Sequence, residues 1–173
     1  MAAALLQRAA DDLALPLHVT SAGVRSHDLP VDPQAVKALA ELDVDISHHV
    51  PRVATRQIVE HDGADLVLVM TRDHLRELVA IEPTAFGRTF TVLELIRRID
   101  EHGDAPLPDE WAEWTRMLAG DRTAAELLRS SDDDVTDPYG RPARVVRRTA
   151  RQLQEAARSL AVAFPQPPPG PIG

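Results

Sequence analysis

The chain has 173 residues, a formal net charge of -8 at pH 7, 44% hydrophobic residues and no cysteine. That length suits one domain with a sizeable core, and the missing cysteine excludes disulfides, thiolate metal sites and a cysteine nucleophile within these residues. The acidic balance argues against a nucleic-acid binder, which needs Lys and Arg concentrated on one face; no run approaches the ~18 apolar residues of a membrane span, and no secretory leader pattern opens the chain, so the expected setting is the cytoplasm.

Met1 to Leu13 reads as an amphipathic helix with Leu5, Leu6, Ala9 and Leu13 on its apolar stripe. No Ser, Thr, Asp or Asn precedes it as a cap, so it reads as the middle of something, with a strand and loop expected ahead of it. Leu17–Gly23 is a short extended run ending at glycine and predicts a strand, only half apolar and so an edge. Asp32-Pro33 supplies a cap and a proline at the first helical position, opening a helix with Val36, Leu39, Ala40 and Leu42 inward. Val44 to Pro51 is a linker carrying His48 and His49, and Thr55–Glu60 predicts a short helix closed at Gly63.

Ala64–Met70 is apolar apart from Asp65 and does not alternate, the pattern of a parallel strand covered on both faces. A helix follows over about 72–80, with Leu75, Leu78 and Val79 inward. Arg88–Val92 predicts a further strand, leading directly into a helix over Leu93–Ile99. This alternation is that of an α/β domain with a parallel sheet. The stretch 100–134 is the least regular, with short helices predicted over about 109–118 and after an Asp121 cap. The last helix is the strongest: Val146, Ala150, Leu153, Ala157, Leu160 and Phe164 form its stripe, while the Arg141–Arg158 cluster reads as its solvated face. The proline-rich 165–173 cannot continue a helix and is expected to be a disordered tail.

Chemistry-bearing residues are few. Asp132–Asp134 reads as a solvated turn. Asp137 differs, because Pro138 biases it toward an extended backbone and Pro138-Tyr139-Gly140 sets an aromatic ring beside it. A carboxyl so placed is a candidate proton donor to a leaving group; the alternative is a plain turn before the last helix. The histidines have no metal-ligand spacing, and no glycine-rich phosphate loop is present, so neither a metal nor another cofactor is expected. His48 reads as a hydrogen-bonding residue in a buried loop.

Taken together these segments resemble the low-molecular-weight protein tyrosine phosphatases over some 160 residues. Met1–Leu6 resembles the start of that family's first helix, which follows its Cys-x5-Arg-Ser-Pro signature. Val19–Gly23 resembles its second strand, Pro33–Val36 opens its next helix, and Asp45-Ile46-Ser47-His48 matches the loop around a supporting histidine. Ala64–Met70 is similar to the strand ending in methionine at the active-site edge, and Asp137-Pro138-Tyr139 to the general-acid loop. The resemblance implies a three-layer open parallel sheet with helices on both faces, in strand order 2-1-3-4, over residues 1–164. It also implies a metal-free phosphomonoesterase acting on phosphotyrosine or a related phosphorylated protein. Asp137 would be the general acid, Tyr139 a wall of the cleft and His48 a support of the phosphate loop.

The chain departs from that pattern in several places. The first strand, the nucleophilic cysteine and the signature arginine are missing from these residues, and Thr71 stands where relatives often carry an acid. The expectation is therefore a phosphatase-like chain that is inactive by itself and poorly folded, because the edges of strands lacking a central partner expose unpaired backbone groups. A non-catalytic scaffold paralogue and a phosphoarginine phosphatase are the alternatives; arsenate reduction fits less well, since it requires further cysteines. The oligomeric state is not legible.

Overall fold

The computed structural model describes residues 1–23, 31–56, 58, 63–120, 122–123 and 133–166. Its elements are α1 (Ala2–Asp12), α2 (Pro33–Ala40), β1 (Val67–Val69), α3 (Arg72–Ile81), a 3-10 turn (Pro83–Arg88), β2 (Thr89–Thr91), α4 (Val92–His102), α5 (Trp111–Ala119) and α6 (Ala143–Ala163). The chain divides into two compact units, Met1–Val53 with Thr136–Ala163, and Ala54–Val135 with Phe164–Gly173.

In the first unit α6 packs on α1 and α2. Its stripe of Val146, Thr149, Ala150, Leu153, Ala156, Ala157, Leu160 and Ala161 is buried, while Arg144, Arg148, Arg151 and Arg158 are exposed, as the periodicity required. α1 buries Leu5, Ala9 and Ala10 and has no side-chain N-cap. It closes on Ala14 at φ 54, where the Leu15 amide reaches the Ala10 carbonyl at 2.9 Å. α2 starts as predicted, with the Asp32 carboxylate accepting from the Gln34 amide. It buries Ala35, Ala38 and Leu39; Ala40 is exposed and Val36 half-buried.

The expected strand at Leu17–Gly23 is not one. Its ladder reduces to an isolated parallel bridge between Gly23 and Val53. The Gln7 side chain of α1 occupies the hydrogen-bonding edge further back: its Nε2 donates to the Leu17 carbonyl at 3.2 Å and its Oε1 accepts from the Val19 amide at 2.9 Å. A primary amide thus pairs with the backbone as a neighbouring strand would, satisfying groups that burial would otherwise penalise.

The second unit holds the parallel pair β1–β2, with Val67, Leu68 and Val69 opposite Thr89, Phe90 and Thr91. α3 connects them, giving the α/β arrangement of strand, helix and parallel strand. The apolar run over Ala64–Met70 contributes only three residues to β1, and Val67 and Leu68 are half-buried. Side-chain oxygens start the helices that follow: Thr71 accepts from the His74 amide, Glu82 from Thr84 and Thr91 from Glu94. Leu75, Leu78, Val69 and Ala85 form a core cluster, and Trp111, Trp114 and Phe164 stack with ring centroids 5.2–5.8 Å apart. Pro165, which the sequence assigns to the tail, is buried. The helix predicted after Asp121 and the tail beyond Gln166 lie outside the described residues, as does half of the helix predicted over 55–60.

A charged network is buried in this unit. Glu94 is fully buried, with Arg98 and Arg122 each 3.1 Å from its Oε1 and Arg72 4.0 Å from its Oε2. Arg122 in turn donates to the Phe86 and Thr89 carbonyls and lies over the Phe86 and Phe90 rings at 4.6 and 4.5 Å. Removing one partner of such a set strands the others in a low dielectric, at a cost of about 3–5 kcal/mol. Glu94→Ala should therefore lower the unfolding free energy, obtained from urea titration of Trp111 and Trp114 fluorescence, by that much. Arg8→Ala, which breaks an exposed pair with Asp12, should cost under about 1 kcal/mol. Equal effects of the two would refute the central place of Glu94.

Candidate functional site

The segment running into Asp137 is anchored residue by residue. Thr91 Oγ1 donates to the Asp133 carbonyl at 3.0 Å, and the Asp133 carboxylate meets Arg97 at 3.1 Å and Arg72 at 3.6 Å. The Arg97 guanidinium is held firmly in its charged form, first by Asp133 and then by Glu101. Asp134 Oδ1 accepts from the Arg72 amide at 2.8 Å, a carboxylate at the N-terminus of α3 where backbone N–H groups lack partners. The Val135 amide donates to the Met70 carbonyl at 2.8 Å, and Val135 is buried. The turn that three consecutive acids suggest is thus tied down: Asp133 is half-buried against two arginines, while Asp134 stays exposed as it receives a helix start; Asp132 lies outside the described residues. Thr71 caps α3 itself, and Asp134 delivers the carboxylate that Thr71 does not carry.

At Thr136 the chain enters the first unit. Asp137 Oδ1 accepts from the Tyr139 amide at 3.0 Å, a local turn that fixes the carboxyl and leaves Oδ2 without a hydrogen-bond partner among the described residues. The Arg141 amide closes back on the Pro138 carbonyl at 3.0 Å. This tight turn places Gly140 at φ +67, a backbone region that side chains resist, although a Cβ there would meet no atom within 4 Å. Pro142 then leads into α6, its carbonyl accepting from the Val145 amide. Tyr139 is 65% exposed and Asp137 is exposed as well, so the expected aromatic wall stands open to solvent and does not bury the carboxyl.

His48 sits in the loop after α2, where Val44 and Ile46 are buried but His48 itself is exposed. The buried loop expected around His48 is thus corrected: Val44 and Ile46 turn inward and Asp45 outward, and the chain is exposed from Ser47 through Val53. Asp45 Oδ1 accepts from the Ser47 amide at 2.8 Å. The Ser47 hydrogen bonds, with a smaller contribution from the charge of His48, hold the Asp45 carboxyl below its ordinary range. No hydrogen bond joins His48 to Asp137 or Tyr139 among the described residues. The anchors Asp133, Asp134, Arg72 and Glu94 escape sequence reasoning; the faint signal for Glu94 is the spacing Thr91-x-x-Glu94, a helix-start pattern.

The depressed Asp45 carboxyl has a definite pH consequence. Its tether contributes above the ordinary value of 3.8 and is lost only as pH falls through the lower folded value. The Ser47 amide resonance should titrate with a midpoint below 3.8 and lose that titration in Asp45→Ala. A midpoint at or above the ordinary value would show that the loop lacks this tether.

Residues 1–118 match the family described as low molecular weight phosphotyrosine protein phosphatase. The chain is 38% identical over 97 residues to a protein described as probable low molecular weight protein-tyrosine-phosphatase EpsP from Ralstonia solanacearum, a match covering 55% of this chain and 62% of that protein. It is 30% identical over 162 residues to the protein-arginine-phosphatase of Bacillus subtilis, covering 93% of this chain and 85% of the relative. Among solved structures, a YwlE mutant from Bacillus subtilis superposes with a TM-score of 0.68 at 26% identity, covering 94% of this chain and 86% of that one. The low molecular weight protein tyrosine phosphatase of T. tengcongensis superposes equally, at 0.68 and 26%, over 94% and 88%. With the β1–α3–β2 unit, the ordered matches along the chain and these likenesses in hand, the chain belongs to the low molecular weight phosphotyrosine protein phosphatase family.

Proposed function

We propose that this chain is the body of a cysteine-dependent phosphatase acting on phosphorylated protein, with Asp137 as general acid, Tyr139 beside the substrate and His48 supporting the phosphate-binding loop. In such a reaction a thiolate attacks phosphorus in line, forming a phosphocysteine as the leaving oxygen or nitrogen departs with a proton from the acid. The same carboxylate then takes a proton from water, which hydrolyses the phosphocysteine. The observation that carries the reading is the Asp137–Tyr139 turn: one carboxylate oxygen is fixed by a backbone amide, the other has no hydrogen-bond partner among the described residues, and the whole is exposed ahead of α6. The extent of the body is residues 1–164 as a single phosphatase-like domain.

Within these 173 residues no side chain can supply the thiolate, so the chain by itself holds the acid and not the nucleophile. A second reading, a phosphoarginine substrate, is favoured by the protein-arginine-phosphatase relative, whose match runs over 93% of this chain. The EpsP match, which supports phosphotyrosine, covers 55%.

Purified as it stands, the chain should show neither a burst nor turnover with an aryl phosphate. Activity that survives purification and vanishes in Asp137→Asn would contradict this. Joined to a Cys-x5-Arg-Ser-Pro segment ahead of Met1, the protein should turn over. There Asp137→Asn should lower kcat about 10²–10⁴-fold for a poor leaving group and much less for a good one, whose departure needs little protonation. An equal loss with both would assign Asp137 to structure or water activation instead.

A further inference from the structure

The charge of the chain is unevenly divided. Met1–Val53 with Thr136–Ala163 carries ten basic against nine acidic residues, and Ala54–Val135 with Phe164–Gly173 nine against eighteen, together giving the net -8. In the first unit the basic charge gathers on the solvent side of α6. Arg144, Arg147, Arg148, Arg151, Gln152 and Glu155 line a shallow depression of about 370 Å³. Arg147 is engaged at 3.5 Å by Glu41. Arg144, Arg148 and Arg151 are exposed, and no carboxylate among the described residues lies within 4.0 Å of them, although Glu155 follows Arg151 at helical spacing.

Arginines at i, i+4 and i+7 share one face of a helix. With no carboxylate among the described residues within 4.0 Å of them, they repel one another, and an anionic ligand removes the repulsion while offering carboxylates to planar, bidentate donors. The face begins within one turn of the Asp137–Gly140 loop, in the same unit, and runs about 10 Å from Arg144 to Arg151 at 1.5 Å per residue. An extended peptide spans that length in about three residues.

We propose that the Arg144–Arg148–Arg151 face of α6 binds an acidic stretch of the protein substrate, selecting phosphorylated residues with Asp or Glu a few positions away. The inference rests on the reading of Asp137 as the acid beside the substrate. Charge complementarity chooses the occupant: a polypeptide anion matches a short row of three arginines, whereas the acidic remainder of the molecule repels a long polyanion.

The test measures anisotropy of a short fluorescein-labelled peptide of glutamate and serine, without phosphate, added to the 173-residue chain. Binding should weaken steeply with salt, and R144E/R148E/R151E should weaken it at least about tenfold. Arg148→Glu alone should weaken it measurably and R8E, on α1, should not, with circular dichroism confirming that each variant keeps its helices. Peptide binding unchanged by the substitutions, or absent at low salt, would overturn the proposal. So would tighter binding of an oligothymidylate, which would make the face a nucleic-acid surface. Self-association in sedimentation that the same substitutions abolish would assign it to a second copy and overturn the proposal as well. Because the peptide carries no phosphate, failure here leaves the role of Asp137 standing, and failure of the Asp137→Asn experiment leaves this binding intact.

Discussion

A single buried carboxylate organises the α/β unit. Glu94 sits in the first turn of α4, fully buried, and an isolated charge there would be prohibitively costly. It is tolerated because three guanidinium groups converge on it from three parts of the chain: Arg98 from its own helix, Arg72 from the first turn of α3 and Arg122 from beyond α5. Each arginine then carries the constraint outward. Arg122 binds the carbonyls of Phe86 and Thr89 at the entrance to β2, and Arg72 reaches Asp133. Helix starts, strand ends and the approach to the candidate acid loop are thereby tied to one charge. The planar fork of arginine suits this work, since it meets carboxylates, carbonyls and ring faces at once.

That network explains why the approach to Asp137 is fixed although Asp137 itself is exposed. Residues 133–135 are held by Thr91, Arg97, the α3 N-terminus and Met70. The turn beyond them is closed by two backbone amides, those of Tyr139 and Arg141. The anchors of residues 133–135 lie in the second unit and the closed turn at Asp137 in the first, and each is fixed by contacts within its own unit. The same economy governs the start of the chain, where the Gln7 amide stands in for a strand edge at Leu17 and Val19.

Local signals in the sequence found most elements but not all of their partners. The stripe of α6, the Asp32-Pro33 start of α2 and the apolar run around Val67–Val69 were legible because each depends on neighbours within one turn or one strand. Leu17–Gly23 misled because extended backbone is not yet a strand; pairing decides, and among the described residues Gly23 finds a single bridge, to Val53. His48 misled for a related reason, since a loop between buried residues need not bury each of its members. The partners of Asp133 and Asp134 were hidden because Arg72 and Arg97 lie some 36 to 62 positions away.

By itself the sequence determined the fold class, the helix stripes, the absence of any thiol among these residues and the Asp137-Pro138-Tyr139 turn, because each is written in composition or in spacing shorter than a helical turn. Only the tertiary structure decided that Glu94 is buried among arginines, that Gln7 closes the edge at Leu17, and that Asp134 caps α3. It also decided that Arg144, Arg148 and Arg151 of α6 have no carboxylate within 4.0 Å among the described residues, while Arg147 meets Glu41. These are encounters between residues distant along the chain, and no local propensity encodes which charge will meet which once the backbone has folded.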